Sequence, residues 1–308
     1  MGGEVDRDPA LPAADDGEDV EVATLGRPVV ETPQGGERHR LGGQRRAPGW
    51  LIGELPYYDH RKGTGPTLVF LHYWGGSART WQPVIDRLPG RATLTIEARG
   101  WGRSRELPGP YTLDQLAQDT RAVIADAGLT DYVLVGHSMG GKVAQLVAAT
   151  RPAGLRELVL VGSGPAKPAP VVTPEYQRGL SHAYDSDESV AAVRDNVLTA
   201  TPLSNKDQIV EDSRAGNPEA TAGWPLHGIA QDITREAREI EVPVLVIAGE
   251  HDQVEPVDVL RDNLMPYLRN AHLHVIPGAG HLMPLEAPGE LANLVSTPVP
   301  VPPSRSGR

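Results

Sequence analysis

The sequence of 308 residues contains no cysteine and few basic residues for its length. The lack of cysteine excludes a disulfide framework, a thiol nucleophile and a cysteine-ligated metal site. No run of about 18 apolar residues occurs, so the sequence predicts no membrane-spanning helix. The 29 Lys and Arg residues are outnumbered by 40 Asp and Glu residues, and the net charge is -11. Because such a chain does not neutralise phosphates, we expect neither nucleic acid nor an anionic membrane surface as its main partner.

The first part of the chain lacks the features of a secretory signal. Residues 1–26 have no basic segment followed by an apolar run. Arg45 and Arg46 resemble the start of a twin-arginine signal, but the apolar region after them is too short. We therefore expect a cytoplasmic protein.

Two terminal segments differ in composition from the rest of the chain. Residues 1–49 are rich in Gly, Pro and charged residues without a periodic apolar pattern, and residues 298–308 are rich in Pro and polar residues. Neither segment can bury enough apolar surface to offset the entropy lost on ordering, so we predict two disordered tails. The part between them is long enough for one large domain with an insertion.

Short apolar runs alternate with helix-length amphipathic stretches from Trp50 onward. The runs are TLVFLH (67–72), ATLTIEA (92–98), YVLVGH (132–137), LRELVLVGS (155–163), VPVLVIAGE (242–250) and AHLHVIPGAG (271–280), and the helix candidates are 79–88, 112–128, 139–150, 256–269 and 284–295. Continuous Val, Leu and Ile runs indicate strands that are covered on both faces. The alternation predicts an α/β fold, a doubly wound and mostly parallel sheet with helices on either side.

Residues 164–236 interrupt this alternation. They contain no apolar run typical of a buried strand, and their pieces of amphipathic pattern favour helices. We predict a helical cap over the carboxyl ends of the strands, inserted between core segments 50–163 and 237–297.

The string Gly136-His137-Ser138-Met139-Gly140 joins a predicted strand directly to a predicted helix. A strand that passes at once into a helix requires a tight turn, and the residue at its apex is held in strained geometry with its side chain exposed. We interpret Ser138 as a nucleophile.

A nucleophilic serine needs a base, and the base needs a group that orients it. Glu250 and Asp252 follow the fifth apolar run, and His281 follows the last run on a Gly-flanked loop. The chain order of serine, acid and histidine is the order expected on a doubly wound sheet of this kind. Either acid fits this reasoning, although Glu250 still belongs to the strand end.

Five segments in order resemble the α/β-hydrolase superfamily, specifically its small capped branch of esterases, lactonases and cofactor-free perhydrolases. They are FLHYWGGS (70–77), EARGWGRS (97–104), GHSMGG (136–141), GEHDQVEP (249–256) and GAGH (278–281). The resemblance implies a catalytic triad of Ser138, Asp252 and His281. It also implies an oxyanion hole formed by the backbone N–H groups of Trp74 and Met139.

Two positions depart from the usual pattern of this family. Tyr73 stands where the family usually has Gly, so it needs an uncommon backbone conformation or a shifted loop. Glu97 stands where the family usually has Asp, and its extra methylene is expected to displace a structural hydrogen bond without catalytic effect. We predict that Tyr73, Trp101, His137 and Trp224 line the substrate pocket.

The sequence therefore predicts a serine hydrolase that cleaves a small to medium, largely uncharged carboxylic ester or lactone through an acyl-enzyme. The expected partner is a small-molecule substrate. We expect no cofactor and no metal, because His272 and His274 share one strand face without further ligands nearby. Hydrolysis of a C–C bond and perhydrolysis use the same triad and stay open. A ligand-binding receptor on the same fold is the alternative from another functional class.

Overall fold

The computed structural model describes residues 54–299. The predicted tails, 1–49 and 298–308, lie outside this range except for residues 298 and 299. The described residues form a seven-stranded sheet in the order β1-β3-β2-β4-β5-β6-β7. The strands are β1 (Tyr58–Arg61), β2 (Thr64–Leu71), β3 (Arg91–Ile96), β4 (Tyr132–His137), β5 (Leu155–Val161), β6 (Val244–Gly249) and β7 (Ala271–Ile276). Of the strands in residues 54–299, only β1 pairs antiparallel, so the predicted doubly wound, mostly parallel sheet is confirmed.

Helices pack around this sheet and fill the connection between β5 and β6. The helices of the described part are α1 (Gln82–Ile85), α2 (Leu113–Asp126), α3 (Met139–Ala149), α4 (Pro174–Ser181), α5 (Asp187–Val193), α6 (Lys206–Arg214), α7 (Pro218–Gly223), α8 (Thr234–Ala237), α9 (Val257–Asn263), α10 (Met283–Glu286) and α11 (Pro288–Ser296). Short 3₁₀ turns lie at Ala78–Trp81, Gly102–Ser104 and Met265–Tyr267, and single π-helical turns lie at Arg194–Leu198 and Trp224–Gly228. None of these helices is long and apolar enough to cross a membrane.

The apolar runs form strands because both faces of the sheet are covered. All six residues of β4 are buried, and its first four alternate between two hydrophobic clusters. Leu134 packs into one cluster, whereas Val133 and Val135 pack into the other on the opposite face. Burial of each such side chain contributes about 1.5–3 kcal/mol, which explains why a continuous apolar run, and not an alternating one, is found here.

The interval predicted as a cap, 164–236, holds α4 to α7 and part of α8, and it has no strand. Its extent as a separate domain stays a prediction. The inserted segment is bonded to the loops at the carboxyl ends of the strands. The Asn217 N–H donates to the Gly100 carbonyl at 2.7 Å, and the Ser213 hydroxyl donates to the Gly75 carbonyl at 2.9 Å. The insertion therefore lies directly over the edge of the sheet where the predicted site residues are found.

Candidate active site

Ser138 lies between β4 and α3 with φ 54° and ψ -117°. Among the non-glycine residues from 54 to 299, only Ser138 and Arg151 have a positive φ, a conformation that costs about 1–3 kcal/mol. Gly136 and Gly140 must be glycines because backbone atoms of other residues lie too close to leave room for a side chain. A Cβ on Gly136 would lie 2.4 Å from the Gly140 carbonyl oxygen, and a Cβ on Gly140 would lie 2.5 Å from the His72 carbonyl oxygen. The sequence thus folds into a strained turn that only small residues beside the serine permit.

Asp252 and His281 form a buried hydrogen-bonded pair. The His281 Nδ1–H donates to Asp252 Oδ2 at 2.9 Å. The other carboxylate oxygen, Oδ1, accepts from the N–H groups of Val254 and Glu255 at 2.8 and 2.9 Å. On the histidine side, the His281 N–H donates to the Leu198 carbonyl at 2.9 Å. The pair is therefore held at both ends, and the imidazole keeps its Nε2 atom for another partner.

Gly162, at the end of β5, lies against this pair and beside the turn of the serine. A Cβ on Gly162 would lie 3.1 Å from Asp252 Oδ2 and 3.3 Å from His281 Nδ1. The residue before it, Val161, accepts a hydrogen bond from the Ser138 N–H at 3.0 Å. The ends of β4, β5, β6 and β7 thus bring the three predicted triad residues to one edge of the sheet.

The two predicted oxyanion donors occupy rigid positions. Met139 is the first residue of α3, where an N–H has no acceptor within the helix. Trp74 is fixed by three contacts: its carbonyl accepts from Trp101 Nε1 at 2.6 Å, its own Nε1 donates to the Thr221 carbonyl at 2.8 Å, and its ring stacks on Tyr184 at 4.1 Å. Neither backbone N–H donates to a protein group within residues 54–299, so both are available to a ligand oxygen.

Tyr73 does not adopt the left-handed conformation expected for a glycine position, since its φ is not positive. Its carbonyl accepts from the Gly76 N–H at 3.0 Å and from His72 Nδ1–H at 2.7 Å. His72 Nε2 in turn accepts from the Ala98 N–H at 3.1 Å. Burial lowers the pKa of His72, which keeps the ring neutral as this pattern requires. His72 thus joins the loop after β2 to the loop after β3.

The Glu97 carboxylate accepts hydrogen bonds from residues that follow β2 and β3. Its Oε2 accepts from the Ala78 N–H at 3.3 Å, and its Oε1 accepts from the Arg103 guanidinium. The space for the extra methylene comes from Gly102, where a Cβ would lie 2.1 Å from Glu97 Oε2. Glu97 therefore holds the loop after β2 in place.

The four predicted pocket residues fall into two groups. Trp101 and Trp224 line a cavity of about 320 Å³ together with Met139 and Tyr111. This cavity therefore begins beside one of the predicted oxyanion donors. It is lined mainly by apolar and aromatic groups, as small-molecule sites usually are.

Tyr73 and His137 lie in a different buried group, with ring centres 5.2 Å apart. The His137 Nε2–H donates to the His281 carbonyl at 2.8 Å. Burial and the nearby His281 imidazole lower the pKa of His137 well below its usual value. His137 is thus a neutral residue that supports the backbone of His281. The pocket role of Tyr73 and His137 stays a prediction.

One residue that contributes to the site was not identified from the sequence. The Glu286 carboxylate accepts from the N–H groups of Ala200, Thr201 and Gly280 at 2.7, 3.0 and 3.1 Å. It joins the inserted segment to the residue before His281. No local pattern distinguishes Glu286 from other acids on a helix surface.

Comparison with known proteins identifies the family and the fold of this chain. The family model described as the alpha/beta hydrolase family matches residues 68–294. A non-heme haloperoxidase of Rhodococcus erythropolis is 31% identical over 250 residues, which cover 75% of this chain and 90% of that protein. A bifunctional esterase/perhydrolase of Acinetobacter calcoaceticus is 28% identical over 261 residues, with 75% and 90% coverage. An esterase from Exiguobacterium antarcticum has the same fold, with a TM-score of 0.72, 21% identity and coverage of 78% of this chain and 93% of its own.

Proposed function

This chain belongs to the alpha/beta hydrolase family, and we propose that it is a serine hydrolase that cleaves a small to medium carboxylic ester or lactone through an acyl-enzyme. The observation that carries the proposal is the buried Asp252–His281 pair beside the strained turn of Ser138. Backbone strain of this kind costs about 1–3 kcal/mol and is concentrated at functional sites, which supports a functional role for Ser138. The names of the relatives, which include an esterase/perhydrolase, agree with acyl transfer.

In the first step, the Ser138 oxygen attacks the acyl carbonyl and His281 Nε2 takes its proton. Asp252 accepts from Nδ1–H, so it fixes the tautomer that leaves the Nε2 lone pair free, and it stabilises the imidazolium that forms. His281 then gives the proton to the leaving alcohol oxygen. The product of this half-reaction is an ester of Ser138, and the alcohol is released from an open-chain ester or stays on the acyl chain of a lactone.

Negative charge develops on the carbonyl oxygen as the serine attacks. In this proposal the Trp74 and Met139 N–H groups donate to it, and the amino end of α3 adds a favourable dipole. Loss of one such donor typically costs about 10²- to 10³-fold in rate. Water, activated by His281, then hydrolyses the acyl-enzyme and releases Ser138.

Hydrogen peroxide is a second acceptor that this site would accommodate, and the esterase/perhydrolase relative favours it. The peroxide oxygen would attack the acyl-enzyme carbonyl, the bond to the Ser138 oxygen would break, and the proton would return to that oxygen through His281. The product would be a peracid. Peracid formation from acetate ester and peroxide, detected by halide oxidation, tests this activity.

The central experiment is hydrolysis of p-nitrophenyl esters of C2 to C12 acids beside a panel of lactones. We expect turnover by the wild type that is lost in Ser138→Ala and retained in Ser181→Ala, which removes a serine hydroxyl from the inserted segment. An organophosphonate ester should label Ser138, and His281→Ala should abolish the labelling. A folded protein that is neither active nor labelled would contradict the proposal. Labelling without turnover of these substrates would instead direct attention to C–C bond hydrolysis, and binding without labelling would indicate a receptor.

A further inference from the structure

The predicted oxyanion donor Trp74 lies on the loop after β2, and two of the three contacts that fix it come from the inserted segment. Its Nε1 donates to the Thr221 carbonyl at 2.8 Å, and its ring stacks on the ring of Tyr184. The third contact, from Trp101 Nε1 to the Trp74 carbonyl at 2.6 Å, comes from the loop after β3. The position of this donor therefore depends on a part of the chain to which the mechanism above gives no role.

Tyr184 contacts two consecutive residues of the loop after β2. Its ring centre lies 4.1 Å from that of Trp74, with 24° between the ring planes. Its hydroxyl reaches the next residue, since a Cβ on Gly75 would lie 2.5 Å from the Tyr184 oxygen and 2.8 Å from Ser213 Oγ. The Ser213 hydroxyl in turn donates to the Gly75 carbonyl at 2.9 Å. Residue 75 must therefore be glycine because Tyr184 and Ser213 occupy the space beside its backbone.

Tyr184 is itself fixed within the inserted segment. It is buried, and its carbonyl accepts from the Arg214 guanidinium at 2.7 Å. Arg214 is the last residue of α6, the helix that also carries Asp212. The Asp212 carboxylate accepts from the Ser77 hydroxyl at 2.9 Å, further along the loop after β2. Tyr184 and α6 thus form one support against which this loop packs.

An oxyanion donor acts through a fixed position. A donor that is already in place stabilises the transition state because it does not have to reorganise during the reaction. The hydrogen bonds that the Tyr73 carbonyl accepts orient the peptide group that carries the Trp74 N–H. The N–H itself donates to no protein group within residues 54–299. Contacts of the Trp74 side chain therefore decide how far this N–H can move from the reacting carbonyl.

We propose that Tyr184 is a positioning residue, whose ring holds the Trp74 N–H where it meets the oxygen that becomes negative in the reaction. The inference rests on the proposed function and deepens it, because it gives the inserted segment a part in the chemical step. The ring makes the stack, so the aromatic side chain and not its hydroxyl is the decisive feature. Removal of the ring should weaken binding of the transition state and leave binding of the substrate unchanged.

The kinetic test compares Tyr184→Leu and Tyr184→Met, which remove the ring, with Tyr184→Phe, which keeps it. Both half-reactions use the oxyanion hole, so the loss should appear in kcat and not in KM. On p-nitrophenyl butyrate we expect kcat to fall about 10-fold without the ring, less than the 10²- to 10³-fold cost of losing a donor entirely. Tyr184→Phe should restore most of the wild-type kcat.

Tyr267→Leu is the matched control. It removes the ring of a half-buried tyrosine that lies against Arg238, at the 3₁₀ turn before β7. Both kinetic constants should stay at their wild-type values in this variant. Folded Tyr184→Leu or Tyr184→Met with wild-type kcat, or an equal loss in Tyr184→Phe, would overturn the positioning role.

A sulfur substitution in the substrate tests whether the loss occurs at the carbonyl oxygen. In p-nitrophenyl thionobutyrate the acceptor is sulfur, which is larger than oxygen and a weaker acceptor of hydrogen bonds. The wild type should therefore prefer the oxygen ester, and Tyr184→Leu should reduce this preference by most of its loss in kcat. Equal losses on the two esters would place the damage elsewhere in the site and contradict the inference.

An NMR measurement tests the position of Trp74 without turnover. The Trp74 indole N–H, which donates to the Thr221 carbonyl, can be assigned because its signal is absent in Trp74→Phe. In Tyr184→Leu this N–H should exchange with solvent about 10-fold faster or more, since the ring that covers it is gone. Unchanged exchange would overturn the positioning role. Faster exchange in a protein whose wild type turns over no ester would contradict the proposed function alone.

Discussion

Replacing Gly162 with alanine should disturb the acid–base pair without altering any atom of it. Gly162 has φ +44°, and a Cβ there would lie 3.0 Å from Met283 Cε, 3.1 Å from Asp252 Oδ2 and 3.3 Å from His281 Nδ1. The Met283 methyl group lies at the end of a flexible side chain and can move aside. The carboxylate and the imidazole are held by hydrogen bonds on both sides, so they can move only together with their loops.

The size of the effect follows from two contributions. The left-handed backbone conformation costs an alanine about 1–2 kcal/mol of stability. The contacts require a displacement of a few tenths of an ångström in the pair. Since a displacement of about 1 Å at a catalytic group can cost about 10²-fold in rate, we expect kcat/KM to fall about tenfold in Gly162→Ala.

Gly128→Ala separates these contributions. Gly128 has φ +67°, and a Cβ added there would meet no atom within 4 Å, so its substitution adds backbone strain without crowding. Both variants should lose free energy of unfolding in urea because of backbone strain, Gly162→Ala the more because of its crowding, and only Gly162→Ala should lose activity on a p-nitrophenyl ester. Equal activity of the two variants would refute the claim that Gly162 positions Asp252 and His281.

Two further substitutions test the cost of burying Lys142 and the support that Glu286 gives to the loop before His281. Lys142→Met should raise the free energy of unfolding at pH 7 by about 3 kcal/mol, because burial lowers the lysine pKa from 10.5 to about 8 and each pKa unit corresponds to about 1.4 kcal/mol. The cost of burying the charged lysine is fully present below pH 8 and is relieved as Lys142 loses its proton. The difference in free energy of unfolding between the variant and the wild type should therefore shrink between pH 8 and 10.5. Urea unfolding in which this difference does not change with pH would contradict a lowered pKa of Lys142. Glu286→Gln should lower kcat about 3- to 10-fold with little change in KM, because a neutral amide oxygen holds the loop before His281 less firmly than a carboxylate does. An unchanged kcat in steady-state assays would show that the loop needs no such support.

The buried strands could be predicted from the sequence because burial on both faces leaves a continuous apolar run. The same reasoning could not find β1, whose residues Tyr58–Arg61 are mostly exposed at the edge of the sheet. Three predicted helices, 79–88, 256–269 and 284–295, are shorter or divided in the structure. The stretch 284–295 becomes α10 and α11, and Pro288 begins the second helix because proline fits the first helical position but not an interior one.

Part of the candidate site also follows from local sequence. The glycines beside Ser138 indicate a tight turn with no room for side chains next to the serine. In the structure Ser138 lies at the apex of this turn with φ 54°. The positions of Asp252 and His281 follow from where the last two strands end, since parallel strands end at the same edge of a sheet. These are short-range features, and each depends on a few neighbouring residues.

The sequence by itself thus determined the six parallel strands β2 to β7, the strained serine and the strand ends from which the acid and the histidine project. The tertiary structure decided which groups surround them. Trp74 is held by Thr221, 147 residues later in the chain, and His281 by the carbonyl of Leu198. The burial of Lys142 is likewise produced by the inserted segment that covers it. Such contacts join residues far apart in sequence, and they depend on how whole elements pack, so no local periodicity or spacing reports them.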